Sequence, residues 1–296
     1  MADRPVGQLA DDRRWRRLTT VAIAAGAIWR LGRLALVKWH QPLLFNDSVY
    51  YSEQAKLLTR GLWYREVYLA EGLPGAEHGP LTSTLLAPVS WVHDPVPWQR
   101  LVTTLCGIAT VWVLARLARE LAGARAGALA AVVAAAAPGL WVNDGLVMSE
   151  SPSMLVVALG LWSTAVWWRT RSRRSLLVTG AIFGLAGLAR SEALLLLILF
   201  GLVVVVEERR AGPDRPPSAS RLGPAVGRAA AAVGVGLVVV APWVAFNLSR
   251  FERPVYLSTN DGTTLLGANC PASYHGPGIG GWAFSCLQSE DPIHVD

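Results

Sequence analysis

The sequence contains several apolar runs that are long enough to cross a lipid bilayer, for which a helix needs about 20 residues. Only 16% of its residues are charged, against roughly 25% in an ordinary soluble domain. A soluble single domain is therefore excluded, and we expect an all-α integral membrane protein with about seven transmembrane helices. The runs occupy about 18–37, 98–118, 124–141, 146–168, 175–190, 192–206 and 229–248.

Basic residues between the runs fix the predicted orientation. An arginine cluster at 13–17 precedes the first run, as in an uncleaved signal anchor, and places the N-terminus in the cytoplasm. The remaining arginines also form short clusters between runs rather than one basic face. This pattern favours membrane lipid as a partner and argues against nucleic acid. The predicted location is the plasma membrane, crossed several times.

A shorter apolar run at 79–92 contains Pro80 and Pro88 and is too short for a full crossing. We expect a re-entrant or interfacial helix there. The sequence then predicts a transmembrane module at 1–248, with a large extracytoplasmic loop at 39–97 that carries short interfacial helices. A cytoplasmic linker at 207–228 and an extracytoplasmic tail at 249–296 complete the predicted organisation.

Carboxylates occur where the predicted outer segments meet the apolar runs. Asp47 follows the first run and is the leading candidate for a catalytic group; the alternative is that it only caps a helix that begins near Ser48. Glu150 lies just inside an otherwise apolar run, where an ionisable group is costly and is a functional candidate by default. Asp144 lies beside a glycine in the preceding turn, and it either adds to the site or only shapes this turn.

Basic candidates occur in the same outer segments. Arg190 and Glu192 share a turn so tight that both charges stay at the outer surface, where the positive-inside rule disfavours an arginine. Arg190 is therefore a candidate anion ligand, and the alternative is a simple ion pair with Glu192.

Glu77 and His78 precede the short run and are candidates for binding a phosphate or a divalent metal ion. The alternative is that Gly79 and Pro80 only start a helix. Two adjacent ligands do not complete a metal site.

Further polar residues allow two interpretations each. Arg30 and Arg33 share one face of the first helix, where they line a cavity or extend to the membrane surface. Cys270 and Cys286 lie together in the tail. They form a bridge if the tail faces an oxidising compartment, or they remain two free thiols.

The order of these features resembles the GT-C superfamily of polytopic glycosyltransferases, in particular actinobacterial-type members. The resemblance is to the branch of protein O-mannosyltransferases and lipid A aminoarabinose transferases, which use polyprenyl-phosphate sugars. The acid in Asp47-Ser48-Val49-Tyr50-Tyr51 is similar to the catalytic aspartate of the family's first loop. Glu77-His78-Gly79-Pro80-Leu81 is similar to its acidic-basic-Pro-Pro-Leu element, with Gly79 in place of the first proline. Met148-Ser149-Glu150-Ser151-Pro152 resembles the second-loop acidic motif, and Leu188-Ala189-Arg190-Ser191-Glu192 the segment whose basic residue meets the lipid phosphate.

The resemblance implies sugar transfer from a polyprenyl-phosphate donor to a hydroxyl of a polysaccharide, lipid or protein at the extracytoplasmic face. Asp47 would be the general base of an inverting reaction, with Glu150 as the second catalytic residue. Arg190 and His78 would bind the donor phosphate, and Asp144 and Tyr50 are additional site positions. Members continue with more spans after the segment that Thr259–Cys270 resembles. We therefore expect the tail to begin a longer C-terminal region.

Two other functions fit the same sequence. A lipid-carrier transporter or flippase would place charges in the middle of several helices, along a path through the membrane. A non-catalytic accessory subunit would keep the outer-loop architecture and depend on a partner. The acids of this chain lie towards one face, which favours the enzyme.

Overall fold

The computed structural model describes residues 6–43, 46–68, 72–210 and 222–287, and in these ranges the chain is helical with connecting turns. A single isolated β-bridge joins Arg65 and Pro74 within the same ranges. The helices are α1 (Val6–Arg33), α2 (Asn46–Thr59), α3 (Leu81–Leu86), α4 (Val96–Ala136), α5 (Pro138–Trp141), α6 (Glu150–Thr170), α7 (Arg173–Ala189), α8 (Leu194–Arg209), α9 (Leu222–Leu248), α10 (Asn260–Ala268) and α11 (Pro271–Tyr274).

Helix α4 is a hairpin of two arms, at 96–121 and 124–136, because its backbone leaves helical geometry at Ala122 and Gly123. Gly123 has φ of +84°, a conformation that glycine adopts without a steric penalty. The second arm then folds back onto the first. A Cβ on Gly127 would lie only 2.9 Å from the carbonyl oxygen of Ala115.

Among the described residues, four segments are long and apolar enough to cross a membrane, namely Asp12–Lys38, Val96–Ala136, Glu150–Thr170 and Leu222–Leu248. Helices α7 and α8 are shorter, with 17 and 16 residues. With the two arms of α4 counted separately, each predicted run coincides with a helix. The prediction of an all-helical protein with membrane-crossing helices is thus confirmed, whereas the number seven and the orientation remain predictions.

The predicted domain boundaries stay predictions, and the structure describes only part of the segments that they define. The short run 79–92 forms α3 and a 3₁₀ turn, Ala87–Val89. Of the predicted linker 207–228, the first residues end α8 and the last begin α9, while 211–221 lie outside the described residues. Residues 288–296 of the predicted tail also lie outside them.

Side-chain contacts distinguish the two ends of the helical bundle. At one end, which we call the basic end, arginines form ion pairs between helices: Arg169 with Glu120, Arg171 with Glu207 and Arg228 with Glu208. At the other end lie the loop before α4, the turn before α6 and the turn after α7. All the residues proposed from the sequence for catalysis lie at or near this second end.

Helices α7 and α9 run parallel and pack through glycines. A Cβ on Gly180 would meet the Ala232 carbonyl, and a Cβ on Gly184 would lie 2.9 Å from the Cα atom of Gly236. Such a close approach of two backbones is typical of small residues at helix interfaces in membranes. The contact fixes the position of α7, whose C-terminal end carries Arg190.

Gly184→Ala is expected to lower the stability of the protein by about 1–3 kcal/mol, because the added methyl group overpacks this interface. The matched change, Gly234→Ala in α9, places a methyl group in open space. It is expected to leave stability unchanged or slightly higher. Thermal unfolding of the two variants in detergent checks the difference, and equal melting temperatures would contradict it.

Candidate functional site

A cavity of about 570 Å³ lies at the end of the bundle opposite the basic end. It brings together four of the residues proposed from the sequence, which come from four separate parts of the chain. They are Asp47 in the first turn of α2, His78 before α3, Glu150 at the start of α6 and Arg190 after α7. Two carboxylates, an imidazole and a guanidinium therefore face one enclosed space.

Asp47 and His78 form the first pair of polar side chains in the cavity. The Nε2 atom of His78 lies 3.5 Å from Oδ1 of Asp47, and the Asp47 side chain is 47% exposed whereas that of His78 is 14% exposed. The imidazole is held by two rings: Tyr51 stacks on it at 5.0 Å and Tyr50 contacts it edge-on at 5.1 Å. This packing leaves the Asp47 carboxylate as the accessible member of the pair.

The electrostatics of this pair keep Asp47 ionised. Its contact with the His78 imidazole is the largest cause of a lowered pKa of the Asp47 carboxyl, and partial burial opposes that effect. The positive charge of Arg190 lowers the pKa further. An ionised Asp47 at neutral pH is the form that accepts a proton.

Arg190 and Glu150 form a second pair. Nη1 of Arg190 lies 3.3 Å from Oε1 of Glu150 and 3.5 Å from the hydroxyl of Ser149. Its Nε donates to Glu192 at 2.6 Å. The structure thus contains the Arg190–Glu192 ion pair that the sequence allowed as an alternative, and it also places the guanidinium in the cavity. The Oε2 atom of Glu150 is buried without a hydrogen-bond partner in the described part of the chain.

Asp144 does not line this cavity. It forms a buried ion pair with Arg30 at 2.7 Å, in which both side chains are at most 2% exposed. Its second oxygen accepts a hydrogen bond from the hydroxyl of Ser151 at 2.7 Å. Because Ser151 follows Glu150 directly, this network supports the start of α6 from behind. The sequence suggested that Arg30 lines a cavity or extends to the membrane surface. In the structure it does neither, and its guanidinium donates to the Ala134 and Ala135 carbonyls.

Tyr50 and Glu77 also lie outside the cavity lining. Tyr50 is 1% exposed, and its ring contacts the imidazole of His78. Burial raises the pKa of the half-buried Glu77 carboxyl, and the Glu77 carbonyl accepts a hydrogen bond from Ser258. In the ranges that the structure describes, no group of three or more His, Cys, Asp or Glu side chains could hold a metal ion. Glu77 and His78 are therefore not completed to a metal site by their neighbours.

One wall of the cavity comes from the tail, which sequence reasoning did not assign to the site. Of its described side chains, the polar Ser258, Asn260, Thr264 and Asn269 line the cavity beside the apolar Leu265 and Ala268. The one sequence feature that could have pointed to a role of the tail in the site is the high content of Asn, Thr and Ser after the last apolar run. It does not by itself predict where the segment folds.

The tail wall is fixed at both of its ends. The backbone amide of Thr259 donates to the Ala76 carbonyl at 2.8 Å, and the indole of Trp243 donates to the Leu257 carbonyl at 2.8 Å. Beyond α10, Cys270 and Cys286 form a disulfide with a Cα–Cα distance of 6.2 Å. The bridged alternative for these cysteines is therefore the one in the structure.

Comparisons with known proteins identify the class. Residues 78–216 match the family model described as dolichyl-phosphate-mannose-protein mannosyltransferase. The fold is similar to that of the Archaeoglobus fulgidus oligosaccharyltransferase, crystallised with a tethered acceptor peptide. The TM-score is 0.61 and the identity 14%, over 82% of this chain and 31% of the other. No curated protein gives a significant match.

The two matches confirm the resemblance to the GT-C superfamily of glycosyltransferases. The apolar helices indicate a membrane protein. The chain spans about a third of the length of the archaeal oligosaccharyltransferase that it matches.

Proposed function

We propose that this protein transfers a sugar from a polyprenyl-phosphate donor to an acceptor hydroxyl at the outer face of the plasma membrane. The observation that carries the proposal is the cavity in which Asp47 and Arg190 meet at one end of a bundle of apolar helices. The matched family is described by a mannosyl donor on dolichyl phosphate, a lipid of the same chemical kind. The acceptor is a polysaccharide, a lipid or a protein.

Arg190 binds the donor phosphate in this proposal. Polyprenyl phosphate leaves with the bonding electron pair, so the developing negative charge requires a cation more than the leaving oxygen requires a proton. A guanidinium contacts two phosphate oxygens at once, and a cavity of low dielectric strengthens that contact. The Nη1 contacts of Arg190 at 3.3 and 3.5 Å are long, so a phosphate oxygen readily replaces them. His78 is a second donor to the phosphate.

Asp47 acts as the general base. The acceptor oxygen bonds to the anomeric carbon while the bond from that carbon to the phosphate oxygen breaks, and the acceptor proton moves to Asp47. A single displacement of this kind inverts the anomeric centre. The Oε2 atom of Glu150, which has no described partner, orients the acceptor or the sugar ring by accepting a hydrogen bond from a hydroxyl group.

The disulfide supports the outer-face location. Disulfides persist in oxidising compartments and are rare in the cytosol, and the Cys270–Cys286 bridge lies in the segment that forms the tail wall. The opposite end of the bundle carries the arginine clusters, as the positive-inside rule expects of a cytoplasmic face.

The proposal is tested by purified protein in lipid nanodiscs with a panel of polyprenyl-phosphate hexoses and pentoses. The same sugars on nucleotides serve as the control. The expected result is transfer or hydrolysis of at least one lipid-linked sugar and of none of the nucleotide sugars. Donor binding without turnover would instead indicate an accessory subunit. Donor movement across vesicle membranes without transfer would indicate a transporter.

His78→Gln is expected to move the acid limb of the pH profile of transfer to higher pH. Because His78 lowers the pKa of Asp47, the base stays ionised as the pH falls and is lost only as the pH drops through that lowered pKa. Without the imidazole this pKa rises, so the base is protonated earlier. The dependence of kcat/KM on pH checks the shift, with the exposed His93→Gln as the control. Superimposable profiles for His78→Gln and the native protein would contradict it.

A further inference from the structure

A second polar cavity, of about 300 Å³, lies at the basic end of the bundle, between α1 and the two arms of α4. Arg16 of α1 contributes to it from one side, and Arg116 and Arg119 of the first arm contribute from the other. The candidate active site is at the opposite end of the bundle and is lined by other helices. This cavity therefore takes no part in the sugar chemistry proposed above.

In the described part of the chain, the arginines of this cavity differ from several others at the basic end in having no ion-pair partner. Within the described ranges no carboxylate forms an ion pair with Arg16, Arg116 or Arg119. Other arginines of the basic end are paired: Glu120, next in sequence to Arg119, binds Arg169, and Glu207 binds Arg171. Guanidiniums that share a cavity repel one another unless an anion lies between them. The arrangement is thus complementary to a negatively charged ligand.

The arginines suit a phosphate group in particular. A guanidinium presents a planar fork of N–H donors that matches phosphate oxygens. Arg116 is also positioned by aromatic rings, since its guanidinium carbon lies 5.8 Å from the ring centre of Trp112 and 5.7 Å from that of Trp162. These contacts hold its donors at the edge of the cavity before a ligand arrives.

The remaining lining indicates a lipid rather than a small ion. Towards the middle of the helices the lining of the cavity becomes apolar, with Ile23, Trp112 and Ala115. Trp112 is 44% exposed on the outside of the bundle, and tryptophan at the end of a membrane helix is typical of the level of lipid headgroups. An amphiphile fits this lining, with its phosphate at the arginines and the start of its acyl chain along the apolar surface.

We propose that this cavity binds the phosphate headgroup of an anionic membrane lipid in the leaflet at the basic end. Basic pockets between membrane helices are a known form of such recognition. Arg16, Arg116 and Arg119 bind the phosphate, and Trp112 with Ile23 contacts the chain. The lipid phosphate would lie among three arginines that form no ion pair with a described carboxylate.

The test measures binding of a soluble short-chain anionic lipid, dihexanoyl-phosphatidylglycerol, to the purified protein in a neutral detergent. Dihexanoyl-phosphatidylcholine and inorganic phosphate are the comparison ligands. The expected result is that the anionic lipid binds at least tenfold more tightly than either one. The double variant R116Q/R119Q should lose roughly tenfold or more of this affinity, or about 1.4 kcal/mol.

The matched control is R173Q/R174Q, which removes two exposed arginines outside the cavity. It should retain native affinity. If both double variants lose affinity equally, or if inorganic phosphate binds as tightly as the lipid, the proposal is wrong. Two further variants, R116K/R119K and R16Q, show whether a loss of affinity in R116Q/R119Q comes from the lost contacts or from misfolding. The lysine variant should keep most of the affinity and R16Q should lose part of it, and the opposite pattern would overturn the proposal.

Discussion

Asp47→Asn is expected to reduce the rate of sugar transfer by about 10²- to 10⁴-fold, the usual contribution of a general base. The amide of asparagine has nearly the shape of the carboxylate but does not accept the proton of the acceptor hydroxyl. Since the donor phosphate is bound by Arg190, the affinity for the donor should change much less than kcat. Steady-state kinetics with the donor found in the panel, together with direct donor binding, measure the two effects separately.

The same substitution decides between catalysis and helix capping. Asn and Asp stabilise a helix N-terminus about equally well, and Asp47 lies in the first turn of α2. A purely structural Asp47 would therefore tolerate asparagine, and near-native turnover of Asp47→Asn at saturating substrate would remove the assignment as base. Asp94→Asn is the matched control, because Asp94 is exposed in the same loop and does not line the cavity.

Arg190→Gln is expected to weaken binding of polyprenyl phosphate by roughly 10- to 150-fold. This range corresponds to about 1.5–3 kcal/mol for hydrogen bonds to a charged group. Arg190→Lys should give an intermediate loss, because it keeps the charge but not the planar fork. Binding of polyprenyl phosphate to protein in nanodiscs measures the effect. Arg253→Gln, which removes an exposed arginine of the tail, is the control.

The ion pair with Glu192 provides a sharper comparison. If Arg190 served only to pair with Glu192, then Glu192→Gln would have the same consequence as Arg190→Gln. If Arg190 binds the phosphate, Glu192→Gln should not weaken binding, because loss of the Glu192 carboxylate frees the Nε of Arg190 for the ligand. Affinity for polyprenyl phosphate should then be unchanged or higher in Glu192→Gln. A loss equal to that of Arg190→Gln would contradict phosphate binding by Arg190.

Much of the helical architecture could be predicted from the sequence because hydrophobicity alone determines it. Each long apolar run became a helix, and the break of α4 falls between the runs that end near 118 and begin near 124. The four charged or ionisable cavity residues could also be proposed from the sequence. A charged side chain at the end of an apolar run is costly without a function, and Glu150 and Arg190 occupy such positions. Asp47 and His78 were instead proposed from short motifs in the loop between the first two runs.

The rest depends on contacts between distant parts of the chain. The Arg30–Asp144 pair joins residues 114 positions apart, and no local pattern shows that these two charges meet. The tail wall is similar, because Ser258 reaches the carbonyl of Glu77 across 181 positions. Polar residues in a loop predict exposure to solvent, and only packing determines that Asn260 and Thr264 close one side of a cavity.

The most direct test of the central claim is to measure released polyprenyl phosphate and transferred sugar together, for the native protein and Asp47→Asn in the same nanodiscs. If this cavity performs the transfer, the native protein releases both products in equal amounts. The Asp47→Asn variant then still binds the donor, but it cleaves and transfers far less of it in the same time. Release of both products by Asp47→Asn at the native rate, or an intact donor with the native protein under every acceptor offered, would contradict the claim.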